Sequence, residues 1–194
     1  MVSLGKIRDT ANILSKVTPK RLRNMASVTS SYIFSRMMGK AYHSGLPSSI
    51  SIEPTTSCNL RCPECPSGLR SFTRPTGMLS ETVFQNVIDQ LQSTLLYLTF
   101  YFQGEPYLNG AFLKMVKYAS SKKIYTSTST NGHYLDDNNC KQTIESGLDR
   151  LIVSIDGATQ ETYSSYRVGG SLEKVLSGVK NLNRVKKEMK SNTP

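Results

Sequence analysis

From about residue 48 onward the apolar positions alternate between two rhythms. Four short β-rich runs, at residues 50–56, 96–102, 124–130 and 150–155, each precede a stretch whose apolar residues recur every three or four positions. A helix over 81–94 follows Ser80 as its N-cap and places Val83, Phe84, Val87, Ile88 and Leu91 on one face. A second, over 111–121, turns Phe112, Leu113, Val116 and Ala119 inward. A third, over 136–146, starts on an acidic cap and stops at Gly147. The last, over 172–189, aligns Leu172, Val175, Leu176, Val179, Leu182 and Met189, with Lys180, Arg184, Lys187 and Lys190 facing out. Strand followed by helix, four times over, predicts βαβ units, hence α/β architecture with a parallel sheet and right-handed crossovers. Residues 1–47 lack the strand rhythm. They are expected to form one or two helices, broken at Pro19 and ended near Gly45 and Pro47. There Leu22, Met25, Val28 and Tyr32 fall at helical spacing and are expected to cover part of the domain behind them. The division is therefore a helical arm, 1–47, and a core domain, 48–194.

Polar and glycine-rich residues collect where the strands end: Gln103-Gly104-Glu105-Pro106, Thr130-Asn131-Gly132 and Ser154-Ile155-Asp156-Gly157. Parallel α/β folds bind ligands at that edge. After the first strand comes Cys58-Asn59-Leu60-Arg61-Cys62-Pro63-Glu64-Cys65, three thiols within eight residues. A structural zinc site takes four protein ligands and an electron-transfer [4Fe–4S] cluster takes four thiolates. Three thiolates leave a coordination position open, where an iron can hold a substrate or cofactor. The competing reading is a zinc knuckle that takes Cys140 or His133 as fourth ligand. Blander roles also exist for the strand-end residues. Glu105 suits a capping acid, Asn131-Gly132 an ordinary turn pair, Ser154 and Asp156 caps for a short helix after Ala158, and Arg167 a surface cation. Tyr163 and Tyr166 suit packing better than a role in chemistry.

A chain of 194 residues with four cysteines does not look like a disulfide-framed secreted module. It points to a reducing, cytoplasmic setting. The apolar patch 11–14 behind Lys6 and Arg8 is too short for a signal-peptide core, and no run approaches the ~20 apolar residues that span a bilayer. The net charge of +10 is uneven: residues 1–48 carry +7 and the remainder +3. Nucleic acid is not expected as a partner, because the basic residues lack interleaved aromatics or a binding motif. The plain reading of the basic arm is a solvated helix; the sharper ones are a membrane-surface helix or a docking surface for an acidic partner protein.

Taken in order, these motifs resemble the radical S-adenosylmethionine (SAM) superfamily over about residues 49–192. The resemblance rests on Cys58-x3-Cys62-x2-Cys65, on Gln103-Gly104-Glu105 at the place of a glycine-glycine-glutamate element, and on the 128–132 and 154–157 strand ends. Tyr166-Arg167-Val168-Gly169-Gly170-Ser171 before a helix is similar to members with a SPASM or twitch extension. The implied fold is a partial parallel (β/α) barrel with about four βα units. Cys58, Cys62 and Cys65 would hold a [4Fe–4S] cluster whose open iron chelates SAM. Gly104 and Glu105 would receive the methionyl amine, Ser154 and Arg167 the carboxylate, and Asn131 and Asp156 the ribose or rim. The implied reaction is reductive cleavage of SAM to a 5′-deoxyadenosyl radical that abstracts hydrogen from a substrate, in some relatives a peptide or protein. The electron would come from a low-potential flavodoxin or ferredoxin. Two departures stand out. Glu64 occupies a position before the third cysteine that is often aromatic, and the family core has more strand–helix units than the four found here, so the sequence reads as a truncated enzyme. The rival expectation is a non-catalytic iron–sulfur or zinc-binding remnant.

Overall fold

The alternation produces one parallel sheet. In a computed structural model, which describes residues 4–194, strands β1 (Ser49–Ser51), β2 (Tyr97–Thr99), β3 (Tyr125–Thr130) and β4 (Arg150–Val153) pair side by side in chain order. Ile50 pairs with Leu98 and Leu98 with Thr126, so β1 to β3 run in register. The first strand is shorter than its β-rich run. Ile52 N–H still reaches Thr99 O at 2.9 Å, but Pro54 has no N–H to continue the ladder. The chain instead turns back as an antiparallel bridge between Thr55 and Met78, fastened by Thr56 N–H to Gly77 O and Leu79 N–H to Pro54 O. That clasp closes the cysteine loop at its base.

The helices, numbered in chain order, are α1 (Leu4–Ser15), α2 (Pro19–Met38), α3 (Pro66–Leu69), α4 (Glu81–Leu91), α5 (Phe112–Ser121), α6 (Asp137–Glu145), α7 (Gln160–Tyr166) and α8 (Leu172–Glu188). Helix α4 begins where Ser80 accepts from Val83 N–H, α6 where Asp136 accepts from Asn139 N–H, and α8 where Ser171 accepts from Lys174 N–H. The apolar faces of α4 and α5 pack on the sheet through Phe84, Ile88, Leu98, Phe100, Phe112 and Val116, all fully buried. A second cluster, Leu135, Cys140, Ile144 and Val185, joins α6 to α8. Tyr163 of α7 is buried against Leu172 and Val175, which is the packing role expected of it. The opposite face of the sheet carries hydroxyls instead, among them Thr99, Ser127 and Ser129.

The arm departs from expectation. Its helices do break at Pro19, with Thr18 as N-cap, but α2 ends at Met38 before Gly39 and not near Gly45. Its outward stripe is the apolar one: Leu22 is 60 % exposed and Tyr32 62 %, while Arg21 is buried. Arg21 donates to the carbonyls of Lys16, Gln92, Lys122 and Lys123, gathering the C-terminal ends of α4 and α5 on one guanidinium. Asn12 of α1 and Lys16 just after it both reach Asp149, which also accepts from Thr126 N–H at the start of β3. The arm therefore closes the N-terminal end of the sheet, opposite the strand ends that carry the motifs. No helix among the described residues is long and apolar enough to cross a membrane.

Candidate active site

The cysteine loop lies over the C-terminal ends of the strands. A cavity of about 160 Å³ there is lined by all three loop thiols, Gln103, Gly104, Glu105, Asn131, Ser154 and Arg167. Of the nine residues expected at the site, only Asp156 lies off this cavity. A larger space of about 800 Å³ opens at the other end of the strands, between α1 and residues 192–194, and no thiol lines it. The chemistry-bearing groups thus mark the smaller one.

Two glycines let the loop come this close. Gly104 has φ +79°, and its N–H donates to Ser67 Oγ at 3.0 Å. A Cβ there would sit 2.1 Å from Thr55 O, in the segment that leads to Cys58. Gly68, in the one-turn helix α3 that follows Cys65, is missing from the sequence reading. A Cβ on it would lie 2.5 Å from both N and O of Cys62. A four-residue helix has no periodicity to read, and only Pro66 at its first position could have signalled it.

Cys62 is buried, Cys58 and Cys65 half-buried. Burial pushes the Cys58 and Cys62 thiols up from their ordinary range, and the charge of Arg167 opposes this at Cys62. The Arg167 Nη1 lies 3.8 Å from Cys62 Sγ, and its Nε donates to Asp156 at 2.5 Å. Asp156 is exposed and acts here by aiming that guanidinium. Arg61 N–H donates to Val168 O, so the loop is also tied to the segment before α8.

Glu105 is 1 % exposed, and burial raises its carboxyl above the usual range against the pull of its hydrogen bonds. Its Oε1 accepts from Thr130 Oγ1 at 2.8 Å and from Tyr107 N–H at 3.4 Å, and its Oε2 accepts from Asn131 N–H at 2.8 Å. It therefore caps a 3-10 turn (Pro106–Leu108), as the blander reading has it, and staples the end of β3. Asn131 spans from Asn59 Oδ1 at 2.8 Å toward Cys58 Sγ at 3.8 Å, and Ser154 pairs with Ser129 at 3.1 Å. Gln103, left without a role in the sequence reading, holds its buried Oε1 without a hydrogen-bond partner among the described residues.

The proposed fourth zinc ligands are engaged elsewhere. Cys140 is fully buried between α6 and α8, and burial raises its thiol to about 11. His133 accepts from Ser171 N–H through Nε2 at 2.9 Å, while Nδ1 faces Asn131. Among the described residues no three His, Cys, Asp or Glu side chains converge on a single-ion site.

Residues 52–194 match the family model described as the radical SAM superfamily. The chain belongs to the radical SAM superfamily. Its cofactors are a [4Fe–4S] cluster and SAM, and the resemblance carried by the ordered motifs holds. The AdoMet-dependent heme synthase of Methanosarcina barkeri is 29 % identical over 148 residues, covering 76 % of this chain and 42 % of the relative. The mycofactocin maturase MftC of Mycobacterium ulcerans is 30 % identical over 136 residues, covering 70 % of this chain and 36 % of the relative. The solved structure of anSMEcpe with bound AdoMet and Cp18Cys peptide superposes with a TM-score of 0.58 at 25 % identity, covering 73 % of this chain and 41 % of that one. The chain spans about two fifths of the length of these proteins, between 36 % and 42 %.

Proposed function

We propose that this chain is the cofactor-binding part of a radical SAM enzyme, with Cys58, Cys62 and Cys65 as the cluster ligands. The observation that carries the proposal is the convergence of these three thiols with Gly104, Glu105, Ser154 and Arg167 on one cavity while Cys140 is packed away. When bound, the cluster and SAM would supply an electron and a carbon radical able to take hydrogen from a substrate.

The residues present fit that cargo. Three thiolates hold a cluster on one side and leave one iron for SAM. An ammonium brings three donors and needs acceptors. Glu105 Oε2 accepts only one bond from the described residues and so keeps a free lone pair, and Gln103 Oε1 is wholly unpartnered. Gly104 lines the same cavity, and its lack of a side chain lets Thr55 and Ser57 pass close beside it. Arg167, steadied by Asp156, and Ser154 would take a carboxylate. Asn131 stands beside Cys58, where it can reach a ribose or the rim. Leu60, 1 % exposed, helps keep water off the thiols.

The substrate class we favour is a peptide or protein, supported by the peptide held in the anSMEcpe structure. The electron donor would be an acidic flavodoxin or ferredoxin approaching the cysteine loop, where Arg61 and Arg70 are exposed. The arm, at the far end of the strands, is the less suitable dock for it. Four free cysteines suit a cytoplasmic setting. Anaerobic reconstitution with iron and sulfide tests the reading. It should give an iron–sulfur spectrum that changes on SAM addition, and 5′-deoxyadenosine under strong reductant. Cys62→Ala should lose the spectrum; full absorbance in that variant, or one bound zinc and no cluster in the wild type, would refute the ligand set.

A further inference from the structure

Helix α2 turns large apolar side chains to solvent, which a helix that serves only to cover a core does not do. Its inward side carries Arg21, Asn24 and Ser31, buried or half-buried. Its outward side carries Leu22, Met25, Ile33 and Met37, with Met37 78 % exposed. At 100° per residue these four fall on one stripe along a helix of 20 residues, roughly 30 Å long. The inward side is anchored: Arg21 holds four carbonyls, and Asn24 exchanges two hydrogen bonds with the backbone of Leu46. The helix therefore cannot roll to bury its apolar stripe without breaking this anchor.

The charge around the stripe is of one sign. Between Asp9 and Glu53 the sequence contains no acidic residue, against six Lys or Arg. Lys20, Arg23, Arg36 and Lys40 are exposed, and among the described residues none of them pairs with a carboxylate. Arg36 projects from the apolar arc itself. Buried in a dry protein interface it would need an acidic partner, and a second copy of this acid-free stretch would bring it another cation. At a bilayer surface its stem can lie among acyl chains while the guanidinium reaches a phosphate.

We infer that α2 is an interfacial helix that lays Leu22, Met25, Ile33 and Met37 into an anionic lipid surface, with Arg23, Arg36 and Lys40 on the headgroups. The sheet anchor at Arg21 would then fix how the domain stands on the membrane, with the strand ends that carry the thiols turned away from the arm. This inference does not depend on the chemistry proposed for the thiols.

Flotation of the whole 194-residue chain with vesicles tests it. Vesicles of phosphatidylcholine mixed with phosphatidylglycerol should carry the protein, and vesicles of phosphatidylcholine alone should carry far less. Arg23→Gln with Arg36→Gln should lower partition by roughly tenfold or more, and added salt should act the same way. Leu22→Asp with Ile33→Asp should abolish partition. All four positions are exposed, so the circular dichroism and melting temperature of both double variants should match the wild type. The inference fails if the chain does not float, or if it floats equally on both lipids and ignores the arginine pair. It also fails if the aspartate pair instead removes a concentration-dependent self-association in protein that does not bind vesicles, which would assign the stripe to a second copy.

Discussion

Gly104→Ala is the most informative single change at the strand ends. Two independent costs meet there. Alanine at φ +79° pays the left-handed penalty, about 1–2 kcal/mol. Its Cβ would also stand 2.1 Å from Thr55 O, a backbone atom with no rotamer to yield, and overpacking of that kind costs about 1–3 kcal/mol. The sum, roughly 2–5 kcal/mol, corresponds to a melting temperature lower by about 5–15 °C for a chain of this size. Relief requires moving residues 55–57, and Cys58 moves with them, so iron bound after reconstitution should fall as well. Gly110→Ala is the control, since a Cβ there meets nothing within 4 Å. Thermal melts of the metal-free proteins, followed by iron analysis, make the comparison. A Gly104→Ala protein that melts within about 2 °C of wild type and loads iron normally would refute the claim that the cysteine loop is seated on this backbone.

Glu105→Gln should weaken SAM binding and leave the cluster spectrum intact, because it removes the negative charge and sets an amide N–H2 against Asn131 N–H or Tyr107 N–H. The stability cost should be about 1–3 kcal/mol, read by denaturant titration, and unchanged SAM affinity would count against the role given to Glu105. His133 is held neutral by burial, so its folded pKa lies below its unfolded value near 6.5. Stability should therefore decline as pH falls through about 6.5, where the unfolded chain takes up the proton first, and His133→Gln should flatten that part of the profile. Arg21→Ala should cost roughly 1–3 kcal/mol or more by stranding carbonyls of three segments around a buried gap, and a loss under about 1 kcal/mol in urea unfolding would show that the arm is not anchored there.

What the sequence disclosed and what it hid have the same physical origin. Helices α4, α5, α6 and α8 each bury a stripe of large side chains against the sheet or each other, and such burial prints a 3.6-residue rhythm that survives in the sequence. The thiol loop was legible for a different reason, since ligand spacing is itself a covalent constraint. Features that depend on backbone groups left no comparable trace. Arg21 is buried because carbonyls from residues 92, 122 and 123 meet at one point, and nothing near residue 21 reports that. The inverted face of α2 followed from the same blindness: Leu22 and Met25 have core spacing, yet the core side was already claimed by hydrogen bonds. Strand β1 is shorter than expected because the β-favouring Thr55 and Thr56 follow Pro54, beyond the end of the pairing. Asp156 was placed among the ligand contacts on its strand-end position, whereas its partner in the fold is Arg167.

The anchor between the arm and the sheet also has a consequence in time. Arg21 meets Lys123 across 102 positions, and Asn12 meets Asp149 across 137. At ~5–20 residues per second, a translating ribosome takes on the order of ten seconds to make the second member of each pair. Throughout that interval the α2 segment has been made and its counterpart does not yet exist. Whatever first captures the oily side of that helix therefore acts on a nascent chain, before the floor that will orient it has been synthesised.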